Sequence, residues 1–377
     1  MGEEINILIT GDFYPGGAAT TSLIKKKKFE DIFNDYLPVI RDCDYAITNL
    51  EAPLTNSVNN IAKTGPVLKV DAESIKALTF AGFNMVTLAN NHIMDYGMKG
   101  LLDTMNVCKE NEIQYIGAGL NFKAASETRI ITIADKQIAF INIAENEFST
   151  TSGDKPGVNP LDLVSNYYLI KEAKKKADFV FIIIHGGHEN YSLPSPRMKK
   201  TYRFFVDCGA NAVIGHHTHC VSGYEVYKES PIFYSLGNFL FEPNGIKGDK
   251  WYYGFAVQLI IKKNKIMFIL HPYFQNKGFV GLRKMKSPES ESFFNEITNL
   301  NQIILDDDLL TKNFEDFIKK VTNQYQAYLE PHSNKYIRYI QRKRFFPSFL
   351  GNKKRLLYLN LIRCEAHKDI ILKVLEK

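Results

Sequence analysis

Apolar residues come in short runs, and the runs end on polar ones. Ile5 to Thr10 is an apolar stretch stopping at Gly11-Asp12, which predicts a buried strand with a carboxylate at its C-terminal end. Lys28 to Arg41 carries Phe29, Ile32, Phe33, Tyr36 and Leu37 on one face and predicts an amphipathic helix. The alternation continues with a strand at Tyr45 to Thr48 ending in Asn49-Leu50-Glu51, and a helix at Ala72 to Ala81 stopped by Gly82. Met85 to Leu88 follows as a strand running into Ala89-Asn90-Asn91-His92, then a helix at Met98 to Asn111 and a strand at Tyr115-Ile116. Arg129 to Ile133 and Gln137 to Ile143 read as a hairpin. Tyr167 to Ala177 and Met198 to Cys208 are predicted helices around the strand Phe179 to Ile184, which ends in His185-Gly186-Gly187. Ala212 to Ile214 is a strand followed by the loop Gly215 to His219. Further strands are predicted at Ile232 to Ser235, Gly254 to Ile261 and Ile266 to Leu270.

This order predicts an α/β core, largely parallel at first and with antiparallel hairpins later. From about Ser287 the pattern becomes helical to Tyr328, breaks at Glu330 to Asn334, and resumes as basic helices at Lys335 to Phe346 and Asn352 to Leu375. The expected organisation is a main domain over 1–285 and a helical extension over 286–377.

Composition narrows the class. The chain has 377 residues, 45% hydrophobic and 23% charged, as expected of a globular protein with a sizeable core. No apolar run approaches the roughly 20 residues of a spanning helix. The N-terminus enters its first strand within a few residues and lacks the pattern of a secretory signal, so a cytoplasmic location is expected. Five scattered cysteines without a Cys-x-x-Cys pair indicate neither a disulfide framework nor a thiolate zinc site. Nine Lys or Arg and no acid lie between Lys335 and Cys364, more than the whole-chain net charge of +6, so the rest of the chain is slightly acidic. No nucleic-acid partner is expected, because no recognised module accompanies the basic segment.

Open α/β sheets bind ligands beyond the carboxyl ends of their strands, so the polar strand ends are predicted to share one edge. Taken singly, each has an ordinary use: Asp12 as a turn cap, Glu51 as a surface carboxylate, Asn90 and Asn91 as turn formers. Together they are less ordinary, since six of the nine histidines fall in three strand-end clusters. Histidine, carboxylate and amide oxygens are the ligands of zinc-like and mixed divalent sites. Neither a Gly-x-Gly-x-x-Gly fingerprint nor a Gly-Lys-Ser/Thr phosphate loop is present.

The ordered set Gly11-Asp12, Asn49-Leu50-Glu51, Ala89-Asn90-Asn91-His92, His185-Gly186-Gly187-His188-Glu189 and Gly215-His216-His217-Thr218-His219 resembles the CapA family of capsule and poly-γ-glutamate synthesis proteins, a branch of the calcineurin-like metallophosphoesterase superfamily. Asp95-Tyr96-Gly97, Asp207-Cys208-Gly209-Ala210 and Tyr234-Ser235-Leu236-Gly237-Asn238-Phe239 add to the likeness, which covers residues 5 to about 245. The resemblance implies a metallophosphatase-like α/β sandwich with central mixed sheets. It implies one or two divalent ions (Mn, Zn or Fe), with Asp12 and His219 on the first, Asn91, His185 and His217 on the second, and Glu51 bridging. His92 matches the residue that protonates a leaving group or holds the substrate anion, and Asp95 is expected to pair with it or to cap the next helix. His216 is expected outside the ligand set. Glu189 is a candidate general base or amine-binding carboxylate. One position departs: where the superfamily has a histidine two residues after the first aspartate, this chain has Tyr14, a poor ligand with an ordinary pKa near 10.

The expected function is metal-dependent hydrolysis of a phosphoester or an amide bond in the making of a capsule or poly-γ-glutamate-like polymer. The alternative is a non-catalytic component that binds or assembles such a polymer. The expected partners are a polymer or small molecule bearing anionic groups and, through the basic segment, the inner membrane face or a polymer synthase.

Overall fold

The computed structural model describes residues 4–63, 65–242, 245, 247–329 and 334–363. The chain divides into two compact units, residues 1–310 and 311–377. In the first unit the strands are, in chain order, β1 (Ile5–Tyr14), β2 (Tyr45–Leu50), β3 (Met85–Thr87), β4 (Gln114–Ile116), β5 (Ala118–Gly119), β6 (Arg129–Ile133), β7 (Lys136–Ala144), β8 (Gly157–Val158), β9 (Phe179–His185), β10 (Ala212–His216), β11 (Tyr224–Tyr227), β12 (Ser230–Phe233), β13 (Asn238–Phe241), β14 (Tyr253–Lys262), β15 (Lys265–Gln275) and β16 (Leu282–Lys284). An eight-stranded sheet has the order β16-β15-β14-β1-β2-β3-β4, with β13 also on β1. A six-stranded sheet has the order β11-β12-β10-β9-β7-β6. β1, β2, β3 and β4 are mutually parallel, as are β7, β9, β10 and β12, while β14 and β15 add an antiparallel hairpin to β1.

The period-two alternation of β1 sets the layers. Ile5, Ile7 and Ile9 pack, with Ile47 and Met85, into one core cluster with Phe140, Phe181, Ile183 and Val213 of the other sheet. Leu8, with Ala46 and Val86, faces Ile32, Phe33, Leu78 and Leu101 on the opposite side. Helices Leu163–Lys176 and Pro196–Cys208 cover the six-stranded sheet through Ile170, Ala173, Tyr202 and Phe205. The result is the expected α/β sandwich of two mixed sheets between helical layers. Each fully buried aliphatic or aromatic side chain stabilises it by roughly 1.5–3 kcal/mol.

Helix Ser287–Leu305 belongs to this unit as well. Its Phe293, Ile297, Leu300 and Ile304, spaced for one helical face, are buried in the core. Asn301 Oδ1 accepts from the Tyr224 amide at 2.7 Å, and the buried Lys199 ammonium donates to the Ile304 carbonyl and to Asp307. The division between units falls after Leu310, whereas composition changes near residue 285. The second unit contains most of helix Asp307–Leu329, then Lys335–Arg342, capped by the Asn334 side chain, and Asn352–Arg363. Residues 330–333 and 364–377, where the sequence predicts a break and the end of the last helix, lie outside the described residues.

Three local differences from the expected elements have physical causes. The helix expected over 28–41 is three short pieces, Glu30–Phe33, Asn34–Tyr36 and Leu37–Arg41, because Asn34 has φ +46° and Pro38 cannot continue a helix from the preceding turn. The helix expected to run from 287 to 328 is interrupted at Asp306, whose backbone is extended. β1 does not stop at Thr10 but runs to Tyr14, with irregular register on both sides of Asp12. A bulge re-aims a side chain, and here it falls on the first acidic candidate.

Candidate metal centre

Every parallel strand at the centre of the two sheets delivers a polar side chain to one edge. Asp12 lies on β1, Glu51 follows β2, Asn91 follows β3, His185 ends β9, and His217 and His219 follow β10. All six are at most 8% exposed. One ligand atom from each of Asp12, Glu51 and His219 lies within 4.8 Å of the others, and the same holds for Glu51, His185 and His217. Glu51 is common to both groups.

The second group is tightly drawn. His185 Nε2 is 3.0 Å from Asn91 Oδ1, 3.0 Å from His217 Nδ1 and 3.8 Å from Glu51 Oε1. Donors about 2.0–2.1 Å from a common tetrahedral zinc-like ion would be about 3.3 Å apart, so these three separations from His185 Nε2 are of the size that shared ligation requires. Burial, followed by the neighbouring imidazoles, holds the His185 ring well below the usual histidine range, so it is neutral, as a ligand must be. The first group is looser. His219 Nδ1 is 4.0 Å from Asp12 Oδ2, and Nε2 is 3.9 Å from Glu51 Oε1. Asn238 Oδ1 accepts from His219 Nδ1 at 2.9 Å, which leaves Nε2 with its lone pair towards the carboxylates.

Glu51 is the decisive residue. It is fully buried, and neither carboxylate oxygen has a hydrogen-bond partner among the described residues. Burial, followed by the charges of Asp12, Glu189 and Glu147, pushes its carboxyl well above the usual range. A buried carboxylate with no partner costs several kcal/mol, roughly, and such groups are retained where they are paired or coordinate a metal. Two imidazole-bearing groups with this shared acid between them could hold a metal ion.

The backbone is shaped around these groups. His217 and His219 have φ of +94° and +58°, costly for residues other than glycine and characteristic of functional turns. A Cβ on Gly11 would lie 1.9 Å from the Gly237 carbonyl oxygen, so glycine lets the chain before β13 close on β1. That carbonyl accepts from the Asp12 amide, while Asp12 Oδ2 accepts from the His217 amide at 3.1 Å. Asn49 donates to Asp12 Oδ1 at 2.8 Å, and Asn90 donates in turn to Asn49 at 3.2 Å. His216 points away from the ligand groups, with Nε2 2.9 Å from the Thr10 carbonyl, and ties β10 to β1.

Beside the ligand groups, His92 Nδ1 is 2.7 Å from Asp95 Oδ2. Asp95, fully buried, also accepts from the Leu68 amide at 2.7 Å and from Lys63 Nζ at 2.6 Å. Lys63, with a side chain only 3% exposed, donates to the Asn91 carbonyl at 3.1 Å as well. Asp95 thus pairs with His92, one of the two expected uses. Glu189 is exposed, and its charge reaches Glu51 and His219. Glu147 Oε1 is 3.8 Å from His217 Nε2. Tyr14 packs its ring 4.7 Å from that of Phe241, and burial raises its phenol pKa, so it remains a protonated hydroxyl.

Residues 6–243 match the family described as bacterial capsule synthesis protein PGA_cap. The chain belongs to that family. Capsule biosynthesis protein CapA of Bacillus anthracis is 32% identical over 249 residues, 64% of this chain and 60% of the relative. PGA biosynthesis protein CapA of Bacillus subtilis (strain 168) is 33% identical over 234 residues, 60% of each chain. A probable polyglutamine synthesis accessory protein of Mycobacterium tuberculosis is 28% identical over 222 residues, 54% of this chain and 57% of the relative. The matches therefore span about 60% of the length of these PGA_cap relatives. All six candidate ligands, with Lys63, His92, Asp95 and Asn238, lie inside the family region. No helix among the described residues is long and apolar enough to cross a membrane.

Proposed function

We propose that this PGA_cap protein is a metal-dependent hydrolase acting on a phosphoester or amide bond of an anionic surface polymer or its precursor. The observation that carries the reading is the buried, unpartnered Glu51 carboxylate between two histidine-bearing groups. A divalent ion bound there would lower the pKa of water and neutralise charge developing at the attacked centre. The protein's own part is to position and to move protons. Asp12, Glu51, Asn91, His185, His217 and His219 hold the ion or ions. His92 gives its Nδ1 proton to the Asp95 contact, so Nε2 is the nitrogen that carries a proton to a leaving group. Lys63 and the Leu68 amide donate to Asp95 and hold it in place behind that ring. Glu189, exposed, can accept a proton from the nucleophile or pair with an ammonium group.

A second reading rests on Tyr14. With no histidine on β1, the Asp12 side has three protein ligands, which suits a site that binds and assembles polymer without rapid turnover. Elemental analysis followed by a hydrolysis panel separates the two. The hydrolase reading expects at least one Mn, Zn or Fe per chain and cleavage of phosphoesters or γ-glutamyl amides that His217→Ala abolishes while leaving the fold intact. A metal-loaded protein that cleaves nothing in the panel yet retains poly-γ-glutamate overturns it in favour of assembly.

A further inference from the structure

The second unit carries a surface that the proposed hydrolysis does not use. Tyr336, Tyr339, Phe345 and Phe346 are 68%, 60%, 77% and 50% exposed. Tyr336, Tyr339, Ile340 and Lys343 recur at the spacing of one helical face running off helix Lys335–Arg342, and the two phenylalanines follow in the turn after it. Basic groups surround them: Lys335 Nζ lies 5.1 Å from the Tyr336 ring centroid and Lys343 Nζ 5.9 Å from that of Tyr339. Arg342 and Arg344 are exposed beside them, and no acidic residue occurs between Lys335 and Cys364. The family match ends at residue 243, well before this segment.

We propose that this surface, Lys335 to Phe346, docks the protein on an anionic lipid bilayer. Exposed aromatics with an interleaved cationic set are the two components of interfacial binding: rings enter the headgroup boundary and Lys and Arg meet anionic lipid. The charge alone would serve a soluble polyanion equally well, but four large exposed rings would gain nothing there. At eight residues the helix is about 12 Å long, so it lies along the interface and does not cross it. The docking is independent of the metal reading, since none of its residues belongs to the ligand groups.

The test uses the full chain and vesicle flotation. The probes are phosphatidylcholine vesicles with and without one-third phosphatidylglycerol, at low and high salt. The expected result is binding to the anionic vesicles only, weakened by salt, with Phe345→Trp emission shifting to the blue on binding. Phe345→Ser with Phe346→Ser, and separately Arg342→Gln with Arg344→Gln, should each weaken binding at least about tenfold while circular dichroism stays unchanged. Equal binding to both vesicle types overturns the proposal, as does an aromatic variant that binds like the parent. Capture by soluble poly-γ-glutamate but by no vesicle would overturn it in favour of a polymer contact.

Discussion

The two halves of the candidate metal centre share an acid but not a standard of construction. On one side His185, His217 and Asn91 bring their donor atoms within 3.0 Å of a neighbour, with Glu51 Oε1 3.8 Å away. On the other, His219 stands 3.9–4.0 Å from the acids it would share an ion with, and β1 carries Tyr14 and no histidine. Ligand number and preorganisation set affinity, so the halves should differ in grip: a tight ion by His185 and a weaker one by Asp12.

Glu51→Gln should do the most damage, since it strips a ligand from both halves. Metal retained after desalting should fall close to zero, and retention of one full equivalent would break the shared-acid reading. His185→Ala removes only the tight side and should weaken the higher-affinity binding step by more than the 10–100-fold typical of losing an outer partner. Titration with Mn or Zn that leaves that step unmoved would reverse the order of the two halves. Asn238→Ala frees the His219 ring and should cost the weaker step about 10–100-fold, with the stronger one untouched. The smallest change is a gain. Tyr14→His restores a nitrogen donor on β1 and should tighten the second equivalent by about tenfold or more in the same titration. No change there means the ring cannot leave its packing against Phe241.

What could be read in advance follows from how local each signal is. Strand ends are local: an apolar run that stops at Asp12 or His185 announces both strand and edge, and His217-Thr218-His219 puts two imidazoles in one loop. The bulge at Asp12 is a property of pairing with β2 and β13, and one strand's sequence does not contain it. Lys63 had no signal at all. It sits in the polar stretch Thr55 to Pro66, where a lysine is ordinarily solvated, and only the fold buries it against Asp95. Glu147, on the connection after β7, likewise gave no signal, and it stays exposed while its carboxylate comes to 3.8 Å from His217 Nε2. Asn238 was visible as part of Ser235-Leu236-Gly237-Asn238, but its use as the partner of His219 depends on β13 returning to β1. The helix Ser287–Leu305 shows the limit of composition: the chain turns helical near residue 285, while Phe293, Ile297, Leu300 and Ile304 still serve the earlier core.

The crowding of Gly11 by the Gly237 carbonyl has a consequence for how the molecule is made. The first acid of the centre lies on β1, but its amide is not satisfied until the stretch before β13 has been synthesised and has come back to lie against it. Such long-range closure costs loop entropy before its contacts reward it, so it forms slowly. Capture of an ion would therefore report completion: a nascent or truncated chain ending short of Asn238 would hold both carboxylates and all three candidate imidazoles, yet lack the strand that locks them together.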